Sequence, residues 1–277
     1  MKYLLSTFSV LIGFNIFVWT DISLSRNADL NIYFLNVGQG DSSLIRLSNE
    51  TDILIDGGKD KSVISELEKT LKDSHSIDLI ILTHPEMDHF GGLIDVIERF
   101  KVGAFIYNGE ENNQNSAWTI FKEKLKSLNI KTIVLGAGDK IIYKDSLIKV
   151  ISPDNLDSTT FNEDSMVLVL ESNGIKTLFT GDIGFATEDK LINKYDLDVD
   201  VLKIPHHGSK FSSGTNFINA SGPLVSIVQT GKNSYGHPNR LALNRIASTG
   251  SSIYRNDLDG TISLNVKNGL IKIYKEK

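Results

Sequence analysis

Apolar residues recur along the chain with two alternating spacings. From residue 31 onward, the short runs NIYFLNV, SSLIRL and DILIDGG are separated by polar turns, which predicts strands joined as hairpins. The stretch KSVISELEKTLKD instead has a helical spacing of its apolar residues, which are Val63, Ile64, Leu67 and Leu71. IDLIILT, VGAFIYN and KTIVLG then predict strands, with helices predicted at GGLIDVIERF and AWTIFKEKLKSLN. The first half therefore combines β-hairpins with strand-helix-strand units.

The second half repeats this order of elements. KIIYKDSLIKVIS and SMVLVLESNGIKTLFTGD have the pattern of hairpins, FATEDKLINKY that of a helix and DVDVLKIP that of a buried strand. The strand LVSIVQT, the helix HPNRLALNRIAS and the closing strands SSIYRN, TISLNV and LIKIYK follow. Two such halves predict an α+β fold in which two mixed sheets pack face to face with helices outside. No low-complexity linker interrupts residues 27–277, which we interpret as one domain.

The amino-terminal segment has a different pattern. Residues 3–20 carry no charge, Lys2 precedes them and Asp21 follows. This length is near the lower limit for a membrane-spanning helix, and the lack of an amphipathic pattern disfavours a buried first helix of the domain. We interpret residues 1–26 as a membrane anchor or signal segment, and favour the anchor because no Ala-x-Ala cleavage site follows. The remaining chain is then expected outside the cytoplasm, either anchored or secreted.

Composition restricts the chemistry that the domain can perform. The formal net charge of -5 gives no overall attraction to polyanions, so a nucleic-acid contact would need a local basic patch. The chain has no cysteine, which excludes disulfides, thiolate nucleophiles and thiolate metal ligands. Any metal ion must therefore be held by histidine, carboxylate or carbonyl groups.

The densest polar cluster is THPEMDHFGG at residues 83–92. Two histidines and two acids follow a predicted strand on one loop: His84, Glu86, Asp88 and His89. This spacing is typical of metal ligands, and we expect the two pairs to face two neighbouring ions. Gly91 and Gly92 are expected to let the backbone turn sharply into the next helix. The alternative is a solvated turn in which Asp88 caps that helix.

Three further clusters carry side chains of the same kind. Asp182 ends a buried strand in LFTGDIG, where it could bridge two cations or, alternatively, cap the next helix. His206 and His207 follow another strand in KIPHHGSK, and His237 lies in the turn NSYGHPN. For the histidine pair, metal binding is only one of the open alternatives. For His237, the alternative to a functional role is an ordinary surface turn. Because three of the four clusters follow apolar strands, we expect all of them to converge at one end of the paired sheets.

The ordered motifs resemble a known family. THPEMDHFGG resembles the HxHxDH signature of the metallo-β-lactamase superfamily. With FLNVGQGDSSLIRL, ILIDGG, NEDSMVLVL, LFTGD, LKIPHHGS and YGHP, it is similar to the carboxy-terminal metallohydrolase domain of the ComEC competence proteins, from about residue 30 to residue 265. The resemblance implies an αββα four-layer sandwich after the hydrophobic amino-terminal segment. It also implies one or two divalent metal ions at the sheet edge and hydrolysis of a phosphodiester, with DNA as the substrate.

The resemblance implies residue roles as well. The implied metal ligands are His84 and Glu86 for a first ion, Asp88 and His89 for a second, Asp182 between them, and His206 or His207 to close the second site. We favour His207, because in related enzymes the ligand directly precedes the small-residue pair.

The first of these sites departs from the superfamily signature. Glu86 stands where the signature has histidine, and no histidine lies between His89 and His206. Asn162 or Ser165 would fill the vacant position through oxygen or water. Because such a site is rich in oxygen ligands, we expect Mn²⁺ to support activity at least as well as Zn²⁺.

The expected mechanism uses a water molecule whose pKa the metal lowers, so that it attacks phosphorus as metal-bound hydroxide. Asp88 would orient that water, and His237 would be a phosphate donor or a general acid for the leaving group. The predicted substrate contacts are Lys203, Ser209 and Lys210, and the same basic rim would include Lys232 and Arg255. Ordinary solvated side chains are the alternative for the basic residues.

We therefore predict a metal-dependent phosphodiesterase or nuclease that acts on DNA outside the cytoplasm. A phosphodiesterase acting on a cell-envelope polymer is the alternative enzyme, and a non-catalytic DNA-binding or scaffold module is the alternative from another class. A β-lactamase fits less well, because Glu86 and the missing histidine weaken a zinc site. With one hydrophobic segment, residues 3–20, the chain is not expected to translocate DNA alone, so a separate channel protein is a candidate partner.

Overall fold

The computed structural model describes residues 29–47, 51–72, 74–156 and 160–277. The predicted anchor or signal segment, residues 1–26, lies outside these ranges. Within them, every helix is too short or too polar to span a bilayer.

Eight strands of the described chain form the first sheet. Their order across the sheet is β15 (Leu270–Lys275), β14 (Ile262–Lys267), β1 (Leu30–Phe34), β2 (Ser43–Leu47), β3 (Thr51–Ile55), β4 (Ser76–Ile81), β5 (Lys101–Tyr107) and β6 (Lys131–Val134). Strands β1 to β3 are antiparallel, as the hairpin pattern predicts, whereas β3 to β6 are parallel. The carboxyl ends of β3 and β4 therefore lie at the same edge.

Seven strands of the described chain form the second sheet. Their order is β13 (Ser252–Arg255), β12 (Val225–Val228), β11 (Val201–Lys203), β10 (Ile175–Phe179), β9 (Val167–Ser172), β8 (Ser146–Ser152) and β7 (Lys140–Tyr143). Strands β7 to β10 form antiparallel hairpins, and β10 to β13 are parallel. Because β10 and β11 are parallel, the loops that follow them leave the sheet at one edge.

Helices cover the outer faces of both sheets. The helices that alternate with the strands of the first sheet are α1 (Ser62–Leu71), α2 (Met87–Phe90), α3 (Leu93–Arg99) and α4 (Ser116–Ser127). The second has α5 (Phe185–Lys194), a 3-10 turn (Pro205–Gly208), α6 (Thr215–Ser221), α7 (Arg240–Ala247) and α8 (Asn256–Asp259). Helix α1 buries the four apolar residues whose spacing predicts it.

Three apolar layers hold these elements together. Phe34 and Phe179 belong to the layer between the two sheets. Trp118 packs between the first sheet and its helices, and Phe217 with Ile246 between the second sheet and its helices. The order of layers is helix, sheet, sheet, helix, and the predicted αββα sandwich is confirmed.

Three features differ from the pattern in the sequence. The final hairpin pairs with β1, so the last strands of the second half complete the first sheet. Helix α6 was not predicted from the sequence, because its buried side has only two adjacent apolar residues, Phe217 and Ile218. Helix α7 begins three residues later than the start of HPNRLALNRIAS, since the Asn239 side chain caps it by accepting from the Leu241 amide.

Candidate metal centre

Asp182 lies at the centre of a buried cluster formed by loops from both sheets. Its Oδ2 is 3.4 Å from Nε2 of His89, which follows β4, and 3.3 Å from Nε2 of His207, which follows β11. The same His207 nitrogen is 3.3 Å from Oδ2 of Asp88. The His84 ring completes the cluster, with its centroid 4.1 Å from that of His89. The structure thus brings together residues that are up to 123 positions apart in the chain, from His84 to His207.

The three buried histidines present the same nitrogen to the centre. Nδ1 of His89 lies 2.8 Å from Oδ2 of Asp56, to which it donates. The Thr83 hydroxyl also donates to Asp56 (2.8 Å), so it accepts from Nδ1 of His84 at 3.0 Å. Nδ1 of His207 donates to the Gln229 carbonyl at 2.9 Å. With Nδ1 engaged in each ring, the Nε2 lone pair is available as a ligand.

These residues fit a divalent metal ion. Nε2 of His84, His89 and His207, and Oδ1 of Asp182, are buried without a hydrogen-bond partner in the described chain. Unsatisfied buried polar atoms are costly, and a metal ion would satisfy the three histidine nitrogens, with Oδ2 of Asp182 facing the same point. Four groups of the described chain have ligand atoms within 4.8 Å of one another, and two of them consist of predicted ligands: His84, His89 and Asp182 in one, and Asp88, His89 and His207 in the other. The cluster has room for one or two ions.

The electrostatics of the cluster favour a cation too. Burial lowers the pKa of His89 and of His207, but the neighbouring carboxylates, Asp182 foremost, raise both well above the ordinary value. Burial raises the pKa of Asp182, whereas the two histidines lower it further, to well below its ordinary value. Without metal, protons on Nε2 therefore balance the carboxylate charge, and metal binding would replace those protons. Burial and the charge of His89 lower the pKa of His84 to about 3.

Glu86 and His206 lie beside the cluster and line the cleft above it. Burial and the charge of Asp182 raise the pKa of Glu86. Nε2 of His206 is 3.9 Å from Oδ2 of Asp182, and its side chain is 30% exposed, against 2% for His207. Of the histidine pair, His207 therefore occupies the position of a buried ligand, and His206 faces solvent.

Of the two residues proposed to complete the first site, Ser165 contacts Asp182 and Asn162 contacts Ser165. The Ser165 hydroxyl accepts from the Asp182 amide at 3.2 Å, so it supports the backbone of that residue. Asn162 accepts from the Ser165 amide through its carbonyl, and its side-chain Oδ1 is buried without a hydrogen-bond partner in the described chain. Asn162 therefore retains a free oxygen, and Ser165 acts on the position of Asp182.

The prediction that Lys203 and Ser209 contact substrate is wrong. Both side chains are buried at 2% exposure. Lys203 ends β11 with its ammonium among oxygens inside the sandwich, and the Ser209 hydroxyl accepts from the Phe211 amide at 3.3 Å. Sequence proximity to the histidine pair does not determine which way a strand residue points, and β11 turns Lys203 inward.

The remaining basic residues of the predicted rim lie on the surface. Lys210 is exposed, with its ammonium 4.8 Å from the centre of the Phe211 ring, and Lys232 is exposed as well. Arg255 is engaged by Asp257, with the closer N–O distance at 2.6 Å. The basic side chain that does line the cleft is Lys59, which the sequence did not single out.

The glycines after His89 are required by close packing. Gly91 and Gly92 have ordinary helical backbone angles, contrary to the sharp turn expected of them. A Cβ on Gly91 would lie 2.1 Å from the Lys59 carbonyl oxygen, and one on Gly92 would lie 2.2 Å from that of Gly57. Neither Asp88 nor Asp182 caps a helix, since the caps of α2, α3 and α5 have no side-chain hydrogen bond. Both acids are therefore available to the centre.

Asp88, Asp182 and His207 of the cluster line the floor of an open cleft of about 260 Å³. His237 lines it, with its ring centroid 5.4 Å from that of His206, and the exposed Tyr235 stands beside it at 6.0 Å. Burial and the neighbouring histidines lower the pKa of His237 to about 4. The imidazole is then neutral at neutral pH, which suits a hydrogen-bond donor better than a general acid.

The profile of the metallo-beta-lactamase superfamily matches residues 35–232, well over half of the chain. The chain belongs to the metallo-β-lactamase superfamily. It is 29% identical to ComE operon protein 3 of Bacillus subtilis (strain 168), over 94% of this chain and 36% of that protein. It is 27% identical to competence protein ComA of Neisseria gonorrhoeae, over 86% of this chain and 32% of that protein. The chain thus spans about a third of these ComEC-type relatives.

A solved structure shares the fold of this superfamily domain. Tm1679, described as a metal-dependent hydrolase of the beta-lactamase superfamily, superposes with a TM-score of 0.58 at 14% identity. The match covers 86% of this chain and 99% of that one. The chain therefore has the metallo-β-lactamase fold and is similar in sequence to competence proteins.

Supporting residues of the centre escaped the sequence reasoning. Asp56 holds His89, and Asp41 lies 3.2 Å from Nδ1 of His207 through its Oδ1. Both belong to motifs that carry the superfamily resemblance, VGQGD and ILIDGG, but neither has a ligand spacing. Both could have been identified as acids that directly follow an apolar strand or lie beside glycine, where a carboxylate is seldom needed for packing.

Proposed function

We propose that this protein is a metal-dependent phosphodiesterase that cleaves DNA outside the cytoplasm. One observation carries the proposal: Nε2 atoms of buried histidines and carboxylate oxygens converge, without other partners, on the floor of a solvent-open cleft. Resemblance to ComEC-type domains supports DNA as the substrate.

The residues around the cleft support a hydrolytic mechanism. When bound, the ions would lower the pKa of a water molecule and neutralise charge on the phosphoryl oxygens. Asp88 is one-quarter exposed, at 26%, and so stands where the buried cluster meets the cleft. Its free carboxylate oxygen would accept a hydrogen bond from the attacking water and hold it in line. Neutral His237 would donate to a phosphoryl oxygen, and Lys59 would attract the strand to the rim.

The metal, the partners and the location belong to the same proposal. The expected ligands of the first site, His84 with Glu86 and Asp182, are rich in oxygen, which supports Mn²⁺ as an alternative to Zn²⁺. Residues 3–20 would anchor the chain in the membrane, with the catalytic domain outside the cytoplasm. A separate channel protein would then take up the strand or the products.

The test is hydrolysis by the purified full chain, first stripped of metal and then supplied with Mn²⁺ or Zn²⁺. The substrates are bis(p-nitrophenyl) phosphate and linear DNA, and Asp88→Ala is the comparison variant. We expect metal-dependent turnover of both substrates, reduced in the variant by about 10²- to 10³-fold, as when a preorganised electrostatic group is removed.

The other outcomes identify the alternatives. Turnover of the small diester but not of DNA would point to a cell-envelope phosphodiester polymer. Metal binding without turnover of either substrate would contradict an enzyme, and retained DNA binding would then indicate a binding or scaffold module.

A further inference from the structure

A buried lysine connects the two sheets directly beneath the metal centre. Lys203 ends β11 in the second sheet and shares the inner face of that sheet with Val201, which packs between the sheets. Its side chain is 2% exposed. Burying an ammonium is unfavourable unless oxygens surround it, so its partners identify what it does.

The oxygens around Lys203 belong to the centre or touch it. Nζ donates to the Gly181 carbonyl at 2.9 Å and to Oδ2 of Asp41, and it lies 3.6 Å from Oδ1 of Asp182. Asp41 in turn places Oδ1 3.2 Å from Nδ1 of His207. One ammonium therefore lies 3.6 Å from Asp182 and is connected to His207 through Asp41.

These contacts leave the metal-facing atoms of both residues in place. With Oδ1 of Asp182 turned toward the ammonium, Oδ2 faces His89 and His207 at 3.4 and 3.3 Å. With Nδ1 of His207 between Asp41 and the Gln229 carbonyl, Nε2 points at Asp182 and Asp88. A merely structural tie between the sheets would need only Gly181 and Asp41.

We infer that Lys203 is a positioning residue of the metal centre, whose buried ammonium fixes the orientation of Asp182 and, through Asp41, of His207. The inference concerns metal binding and holds whether or not DNA is the substrate. Groups behind metal ligands commonly change metal affinity by about 10- to 100-fold when they are removed.

The test is the paired substitution Lys203→Met with Asp41→Asn. It removes one positive and one negative charge together, so the net charge near the ions is conserved and the orientation of the ligands is what changes. The matched control is Arg46→Met with Asp52→Asn, which removes the ion pair at 2.8 Å on the first sheet, away from the centre.

The readouts are Mn²⁺ binding by calorimetry on metal-stripped full-length protein and the visible spectrum of the Co²⁺-loaded protein. We expect Kd for Mn²⁺ to rise about 10- to 100-fold in the Lys203 pair variant and to stay within about twofold in the control. The Co²⁺ bands should change only in the Lys203 pair variant, because they report ligand geometry. An inactive protein that shows these shifts would overturn the nuclease proposal and leave the inference intact.

Unchanged Mn²⁺ affinity and an unchanged Co²⁺ spectrum in a folded pair variant would overturn the role of Lys203. If that variant does not fold, Lys203→Arg gives the second measurement. It keeps the buried charge but replaces the compact ammonium with a planar guanidinium, so Kd should again rise by about tenfold or more. An Arg variant with wild-type affinity and spectrum would likewise contradict the inference.

Discussion

The two histidine-bearing loops of the centre are held in different ways. Residues 83–92, with His84 and His89, are supported by Asp56, at the end of the neighbouring parallel strand β3. Residues 205–214, with His207, are held by side chains from elements farther along or back in the chain: Glu188 of α5, Arg245 of α7 and Asp41 before β2. The two histidines of the first loop are thus supported through one carboxylate, whereas the second loop is held by side chains from three elements.

This difference indicates which property a substitution near each loop should affect. One carboxylate outside the first loop supports both of its histidines, because Asp56 accepts from His89 and from the Thr83 hydroxyl that contacts His84. In the second loop the supports are distributed, so that loss of one loosens the backbone without releasing His207 from the Gln229 carbonyl. A substitution in the support of the first loop should therefore weaken metal binding. One in the supports of the second loop should lower the stability of the protein.

The largest effect is expected from Asp56→Asn. The amide keeps the shape of the side chain but loses the charge that fixes Nδ1–H of His89, so the ring can adopt the wrong tautomer. Metal affinity should fall by about 10- to 100-fold, measured by Mn²⁺ calorimetry on the stripped protein. Wild-type affinity in a folded Asn variant would show that the first loop does not depend on this carboxylate.

A smaller effect, on stability, is expected from Arg245→Ala. The guanidinium donates to the Ser213 and Ser212 carbonyls at 2.6 and 2.7 Å and holds the second loop. Its loss should lower the free energy of unfolding by about 1 to 3 kcal/mol. Chemical denaturation measures this value. Hydrogen exchange should increase at residues 209–214 and stay unchanged at residues 83–92.

The matched control for Arg245 lies on the same helix. Arg240 is exposed at the start of α7, and Arg240→Ala should change the free energy of unfolding by less than about 0.5 kcal/mol. Equal losses in the two variants would contradict the specific support of the second loop.

The smallest effect is a change in pH dependence from Glu188→Gln. Burial raises the pKa of Glu188 to about 7, against the opposing influence of the Gly214 and Ser213 amides and of Arg245. The folded state therefore holds the proton more tightly than the unfolded state. The stability contributed by this group is complete below the unfolded pKa of 4.5 and is lost as pH rises toward about 7.

The measurement is the difference in free energy of unfolding between wild type and Glu188→Gln at several pH values from about 4.5 to 7.5, on metal-stripped protein. Taking the difference removes the contributions of the ligands themselves, which both proteins share. Wild type should lose stability relative to the variant as pH rises over this range. A constant difference would show that the carboxyl titrates alike in the folded and unfolded states.

The secondary-structure elements and the types of ligand could be predicted from the sequence alone. Period-two and helical spacing predicted the strands and long helices, because alternate burial is a property of each element alone. The ligands could also be predicted, because they follow strand ends and are marked by their spacing and by the superfamily motifs. They are His84, Asp88, His89, Asp182 and the histidine pair. Only the tertiary structure decided which sheet the last hairpin joins, since β1 and β14 are paired across most of the chain.

The tertiary structure also decided the roles of Lys203, His206 and His207. Adjacent histidines share one motif, and only the left-handed backbone at both residues buries one ring and leaves the other at the cleft. Lys203 was predicted as a rim residue because it lies near the histidine pair in the sequence. Its environment depends on Asp41 and Asp182, which reach it from other loops, and the direction of a side chain relative to remote segments is fixed only when the two sheets pack together.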